Sequence, residues 1–337
     1  MQQKKVLIVG PIFHGYNESV EQAFKNLNFQ TKVIGFTDGA VENVKEKVQF
    51  YLTKTDDFYK FKNKQFNSLF EKTYNEFKPD ILFIIKGHQI DPTVISKMKS
   101  SANILWMMDS IHSYPGSLAI LPYVHKVFLF EATDIPLLKE KYDVDGTFMP
   151  LALDEKVYFP ITNKKEIDIL FVGGLVPDRI RLLDKIIEKF PDKKISIYGQ
   201  YYSKFRRPLH HLFRKNKKNY TNKIVLPSKL NELYSKSKLC INIHQKQSVI
   251  GVNQRFFEIL GSKNLQICDH KKFISDNFLK DDLLWYHNEQ ELFDTISFAL
   301  NNYNDLNNVI TNGYEKVTSK HTFTHRIKQI LTLSEVL

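Results

Sequence analysis

The sequence predicts an α/β protein made of two successive Rossmann-like, doubly wound domains, and three observations carry that expectation. Short runs that are apolar on both faces (KKVLIVG, TKVIGF, PDILFIIKG, NILWMMD, KVFLFEA) alternate with stretches of helical spacing. Strands of that kind belong to a parallel sheet covered by helices on both sides. The alternation pauses in a polar stretch and then resumes with DILFVGG, KISIYG and KLCINIH. A chain of 337 residues is also long for one core and comfortable for two of about 150 residues each.

Composition narrows the class. Apolar residues make up 42% and charged residues 25%, ordinary values for a chain folded throughout. No apolar run approaches the roughly 18 residues that span a bilayer. MQQKKVLIVG enters a strand without the apolar core and cleavage site of a signal peptide, so a cytoplasmic location is expected. Cys240 and Cys268 each fall inside a predicted strand and read as small core residues in a reducing compartment, with neither a disulfide nor a zinc site. The net charge of +11 favours an anionic partner: a phosphorylated substrate, a membrane surface or nucleic acid.

The first domain, residues 1–155, opens with a strand ending at Gly10 and a helix over Asn17 to Leu27. Phe58, Phe61, Phe66, Leu69, Phe70, Tyr74 and Phe77 recur at helical spacings before Pro79, and further helices are expected over Asp91 to Ser100 and Ile135 to Tyr142. Ligands of such sheets bind beyond the carboxyl ends of the strands, where His14, Tyr16, Lys86, His88, Asp109 and Glu131 fall. Asp109 directly follows the apolar WMM and is the candidate general base, with His14 second; Lys86 and His88 are candidates for an acceptor or sugar site. A lone histidine or lysine in such a loop equally serves to brace it. The first turn, GPIFHG, lacks the GxGxxG pattern, and no Walker A motif occurs, so nicotinamide-dependent and NTPase chemistry lose their main support.

The stretch from Leu151 to Glu166 is polar, contains Pro160 and marks the join. The second domain, 156–320, begins with a strand that ends at Gly173 and Gly174, followed by a helix capped by Asp178 and carrying Arg179 and Arg181. Glycine there lets a phosphate approach backbone N–H groups at a helix start, or simply makes a tight turn; Gly199 admits the same two readings. KIVLP reads as a short strand and KLNELYSKS as a helix. Lys204 to Lys223 holds eight Lys or Arg and no acid, with Phe205, Leu209, Leu212 and Phe213 along one edge. That pattern suits an anionic membrane surface or polyanionic acceptor, or a solvated helix. Its aromatics, Phe205, Phe213 and Tyr220, are too few for a nucleic-acid stacking platform.

GVNQRFFEILGSKNLQICD, from Gly251 to Asp269, is the stretch richest in chemistry. A helix starting there directs the N–H groups of Val252, Asn253 and Gln254 at a diphosphate, with Arg255 adding a forked positive charge. Glu258, one turn on, sits among Phe256, Phe257, Ile259 and Leu260. A carboxylate on so apolar a helix needs partners: either the two hydroxyls of a ribose or Arg255 itself. His244, at the exit of KLCINIH, joins the candidates for the sugar site.

VNQRFFEILGSKNLQICD, with WMMD, PLALD, DILFVGG, NELYSKSKLCINIH and HTFTHR in the same order, resembles the CgeB-like glycosyltransferases. The resemblance covers most of the chain. It implies a GT-B architecture, two Rossmann-like domains facing across a cleft with a C-terminal helix (321–337) crossing back to the first, acceptor binding by the first domain and nucleotide-sugar binding by the second. It implies that Glu258 takes the donor ribose and that Asn253 and Arg255 contact diphosphate or sugar. Broader retaining GT-B enzymes often carry a second glutamate eight residues earlier, where this chain has Ile250. The function expected is transfer of a sugar from a UDP-, GDP- or dTDP-type donor to a hydroxyl of a glycan, lipid-linked saccharide or protein, without a metal or permanent cofactor. A nucleotide-sugar epimerase or hydrolase on the same frame, and a noncatalytic polyanion-binding protein, remain as alternatives.

Overall fold

A computed structural model describes residues 3–12, 15–37, 55–162, 164–201 and 215–336. The chain divides into two compact units, one of residues 1–150 with 323–337 and one of residues 151–322. No helix among the described residues is long and apolar enough to cross a membrane.

The first unit runs β1 (Lys5–Pro11), α1 (Tyr16–Asn26), β2 (Gln30–Phe36), α2 (Thr55–Phe77), β3 (Ile81–Ile85), α3 (Pro92–Ile95), β4 (Ala102–Met107), α4 (Pro115–Leu118), β5 (Lys126–Leu129), α5 (Asp134–Tyr142) and β6 (Gly146–Phe148). Its six strands are all parallel, in the order β2-β1-β3-β4-β5-β6. β3 and β4 are buried along their whole length, as their uninterrupted apolar sequences require. One face packs Leu7, Leu82, Leu105 and Leu129 against Phe66, Phe70 and Leu138. On the other, Trp106 lies edge-on to Phe83 and donates its indole N–H to the Met149 carbonyl at 3.2 Å. The helix expected over Asp91 to Ser100 is a single turn: Asp91 caps it through the Thr93 N–H, and the chain leaves at Ser96 to enter β4.

The second unit runs β7 (Ile167–Val172), α6 (Pro177–Lys189), β8 (Ile195–Tyr198), β9 (Tyr220–Thr221), α7 (Pro227–Ser235), β10 (Ser237–Asn242), α8 (Gln254–Gly261), β11 (Leu265–Asp269), α9 (Lys272–Asn277), β12 (Leu284–Tyr286), α10 (Glu289–Asn301) and α11 (Asn307–Lys320). The sheet order is β12-β11-β10-β7-β8-β9, again all parallel. Ile169, Phe171, Leu239, Ile241, Leu265 and Ile267 form one core face under Leu183, Ile186 and Leu292. The strand expected at KIVLP is not there. The Lys223 N–H turns back onto the Thr221 carbonyl, Ile224 and Leu226 are exposed, and the edge strand is the two-residue β9. Cys240 and Cys268 are buried free thiols, both pushed up by that burial.

Residues 151–155 belong with the second unit. Leu153 donates its N–H to the His321 carbonyl at 2.8 Å and bridges to Thr322, and a Cβ on Gly261 would stand 2.2 Å from its Cδ1. After Thr322 the chain returns to the first unit as α12 (Phe323–Leu333), which packs on α1. Phe323 meets Trp106, and buried Arg326 donates to the Pro150 carbonyl.

Candidate functional site

In the second unit the strand order reverses at β7, whose neighbours β10 and β8 lead to opposite edges. Ligands of open parallel sheets sit outside the carboxyl ends at such a switch point. Arg179 spans it, donating to the Gly174 carbonyl beyond β7 at 3.1 Å and to the Ile243 carbonyl beyond β10. It is 7% exposed. Arg179 therefore ties two strand ends together, and Arg181 stands on the outer surface of α6, bonded to Asp178. Gly199 has a packing reason: a Cβ there would lie 1.9 Å from the Gly173 carbonyl oxygen. Gly173 itself approaches Phe171 and Arg179, and Gly174 supplies the carbonyl that Arg179 holds.

α8 begins beside this point because two asparagines fix it. Asn253 has the extended backbone of an N-cap and accepts the Phe256 N–H at 3.2 Å, while its amide and that of Asn242, the last residue of β10, exchange hydrogen bonds of 3.1 and 2.9 Å. The Asn253 side chain is thus engaged in anchoring the helix to the sheet. Val252 is buried and Gln254 donates to the Ala152 carbonyl, so the side chains of all three residues at the helix start face protein. Phe256, Phe257, Ile259 and Leu260 bury the apolar face.

Arg255 and Glu258 form the pair that the i,i+3 spacing allowed. Arg255 Nε donates to the Val172 carbonyl at 2.7 Å and Nη1 meets Glu258 Oε2 at 3.1 Å. The Tyr234 hydroxyl donates to the same Oε2 at 3.2 Å. Burial first, and Glu258 second, push the Tyr234 phenol well up, so it keeps the hydrogen it donates. The Glu258 side chain is 5% exposed, and both contacts fall on one of its two oxygens.

One strand outward, the Asp269 carboxylate at the end of β11 receives the His244 backbone N–H at 2.8 Å and the His244 ring Nδ1 at 2.7 Å on Oδ1, and Lys271 lies 3.1 Å from Oδ2. Burial alone would raise this carboxyl; His244 and then Lys271 outweigh it and hold the group well below the usual carboxylate range.

The first unit gathers a second constellation at the carboxyl ends of β3 and β4. Lys86 is 3% exposed and places Nζ 2.5 Å from Asp109 Oδ2 and 3.2 Å from the Tyr114 hydroxyl, 4.7 Å from the Tyr114 ring centre. Burial would lower the Lys86 ammonium, but Asp109 and Tyr114 more than reverse this and raise it. His88 lies between the Tyr114 ring at 4.6 Å and Phe36 at 5.0 Å. Lys86 and Gly87 adopt left-handed backbone, φ 60° and 70°, and a Cβ on Gly87 would come within 2.6 Å of Ile120. Lys86 is thus a non-glycine residue held in a costly conformation beside an ion pair, as side chains fixed for binding commonly are. Asp109, Lys86 and His88 come together as one cluster, with Tyr114 as a member that nothing in its local sequence singled out. Glu131 instead braces its own loop through Thr133, Tyr16 is buried at the start of α1, and His14 lies outside the described residues. Among the described residues no group of three or more His, Cys, Asp or Glu could hold a metal ion.

Residues 179–332, from α6 through most of α12, match a family model described as glycosyl transferase-like. The sucrose-phosphate synthase of Thermosynechococcus elongatus superposes with a TM-score of 0.70 at 11% identity, over 99% of this chain and 98% of that one. A glycosyltransferase from Rickettsia africae gives 0.65 at 13% identity, over 99% and 98%. Anabaena HepE, solved in complex with UDP-glucose, gives 0.64 at 9% identity, over 99% and 100%. No curated protein matches the sequence. At these identities the likeness shows the fold: two six-stranded parallel sheets with flanking helices, as in GT-B glycosyltransferases.

Proposed function

We propose that the protein is a glycosyltransferase that moves a sugar from a nucleoside diphosphate donor to a hydroxyl of a glycan, lipid-linked saccharide or protein. The observation that carries this reading is the Arg255–Glu258 pair on α8, beside the switch point of the second sheet and within the stretch that matches the glycosyl transferase-like family. The HepE complex with UDP-glucose favours a UDP-linked donor, and the order of the motifs favours the CgeB-like branch. Glu258 takes the ribose hydroxyls, its orientation set in advance by Tyr234 and Arg255. Arg255 and the positive end of α8 meet the diphosphate and stabilise the charge that grows on it as the bond from the sugar C1 to the phosphate oxygen breaks. The acceptor oxygen forms the new bond to C1. Its proton goes to Asp109 in an inverting reaction, with Lys86 and His88 shaping the acceptor side.

Incubation with a panel of UDP-sugars, with and without saccharide acceptors, tests the reading. Release of UDP that depends on acceptor is expected. Conversion of the donor alone would instead identify an epimerase or hydrolase, and failure to bind any nucleotide sugar would sink the proposal.

A second observation favours docking to an anionic lipid surface. Ile224 and Leu226 are 65% and 70% exposed, and Lys215, Lys217, Lys218 and Lys223 are exposed just before them. The first part of the basic stretch identified in the sequence, residues 204–214, lies outside the described residues. Exposed apolar residues close in sequence to exposed lysines suit an interface where each basic residue contributes about 1 kcal/mol. Converting the four lysines to glutamine is expected to lower binding to phosphatidylglycerol vesicles at least tenfold at low salt. Equal sedimentation of parent and variant would rule the surface out.

A further inference from the structure

We infer that His244 recognises the transferred sugar of the donor, its Nε2 hydrogen-bonded to a sugar hydroxyl. The inference rests on the donor-site reading above and adds to it the residue that tells a nucleotide sugar from a bare nucleotide.

The starting point is a polar atom with nothing to bond to. The His244 side chain is fully enclosed, and its Nε2 has no hydrogen-bond partner among the described residues. Buried polar atoms are nearly always paired, and one that is not calls for a ligand or an ordered water. The other ring nitrogen is fully accounted for. Asp269 is held well below the carboxylate range and is therefore an acceptor, so Nδ1 carries the hydrogen between them. Nε2 is thus the ring atom left to bond a ligand, as an acceptor in one form of the ring and as a donor in the other. A hydroxyl, which both donates and accepts, meets that need in either form. In a nucleotide sugar, the hydroxyls that a bare nucleotide lacks are those of the sugar.

The position agrees. β10 ends at Asn242, whose amide holds the Asn253 cap of α8, and His244 follows two residues later. A single strand exit thus anchors both the helix that bears Arg255 and Glu258 and the dyad of His244 and Asp269. Two bonds to one carboxylate oxygen, from the backbone N–H and from the ring, fix the backbone and the side chain together. A ring this tightly oriented is suited to reading the direction of a hydroxyl, as second-layer carboxylates orient histidines elsewhere. Residues 245–251, between the dyad and α8, form neither helix nor strand.

Two substitutions separate recognition from bracing. His244→Asn keeps an N–H close to the position of Nδ1, and so the bond to Asp269, but has no atom where Nε2 stands. His244→Gln places a polar atom near Nε2. Affinities for UDP and for a panel of UDP-sugars are measured by calorimetry on parent and variants. The expected result is that H244N binds UDP as the parent does, loses about tenfold in affinity for the preferred UDP-sugar, and that H244Q recovers part of the loss. If H244N binds UDP-sugar as tightly as the parent, or if it loses UDP and UDP-sugar in equal proportion, His244 does not read the sugar. A parent protein that binds neither UDP nor any UDP-sugar removes the donor reading itself and this inference with it.

Discussion

Glu258→Gln is expected to remove most of the stabilisation that UDP confers on the protein. A ligand at a hundred times its dissociation constant raises stability by about 2.7 kcal/mol. Hydrogen bonds from ribose hydroxyls to a charged carboxylate are worth roughly 1.5 to 3 kcal/mol, so their weakening lowers affinity by about ten- to a hundredfold. At the same UDP concentration the variant then keeps only about 0.4 to 1.4 kcal/mol. Glutamine is chosen over alanine because Arg255 and Tyr234 converge on the same Glu258 oxygen, and alanine would leave both donors facing a void. Glutamine retains the volume and an acceptor oxygen. The melting temperature without ligand tells a folding defect from lost binding. A variant that folds as the parent does and gains as much from UDP would show that Glu258 serves only to hold Arg255, and the ribose would have to be held elsewhere.

That second outcome is a serious competitor because the internal pair is present in the structure, and the sequence already allowed it. Three-residue spacing on a helix brings two side chains together whatever their purpose. The third partner could not be read, since Tyr234 lies on α7 and reaches Glu258 only through tertiary packing. The same limit explains the arginines at the start of α6. Locally, a glycine turn followed by arginine looks like an anion site. The approach of β7 and β10 leaves two carbonyls that Arg179 satisfies, and that approach is not written in the turn. Conversely, long strands such as β3 and β4 were legible because burial on both faces demands continuous apolar residues, whereas β6, β9 and β12 have only two or three residues each and leave no periodicity to detect. Lys86 and Asp109 were each found by their place after an apolar run. Their pairing follows from β3 and β4 being neighbours, with Ile85 in register with Trp106, a fact of sheet order rather than of sequence spacing.

Asp109→Asn is expected to destabilise the first unit by roughly 2 to 4 kcal/mol and to invert the pH dependence contributed by Lys86. Removing one partner of a buried ion pair strands the other charge, which costs about 3 to 5 kcal/mol when both are fully enclosed. The Lys86 side chain is 4% exposed but Asp109 is 29% exposed, so solvent reduces the figure. The sign of the pH effect follows from the ammonium. In the parent, Asp109 and Tyr114 overcome burial and raise Lys86 above its ordinary value, so its contribution to stability is complete below about 10.4 and is lost as pH rises through the raised value. In the variant, burial acts without the carboxylate and Lys86 falls below its ordinary value. Deprotonation then relieves the folded state, and stability increases as pH rises towards about 10.4, where the parent is flat. Urea unfolding monitored by Trp106, which is buried in this unit, in a Trp285→Phe background follows both quantities. A variant whose stability matches the parent and stays level over that range would mean that Lys86 does not need Asp109 to remain charged. Its left-handed backbone would then need an explanation other than the ion pair it serves.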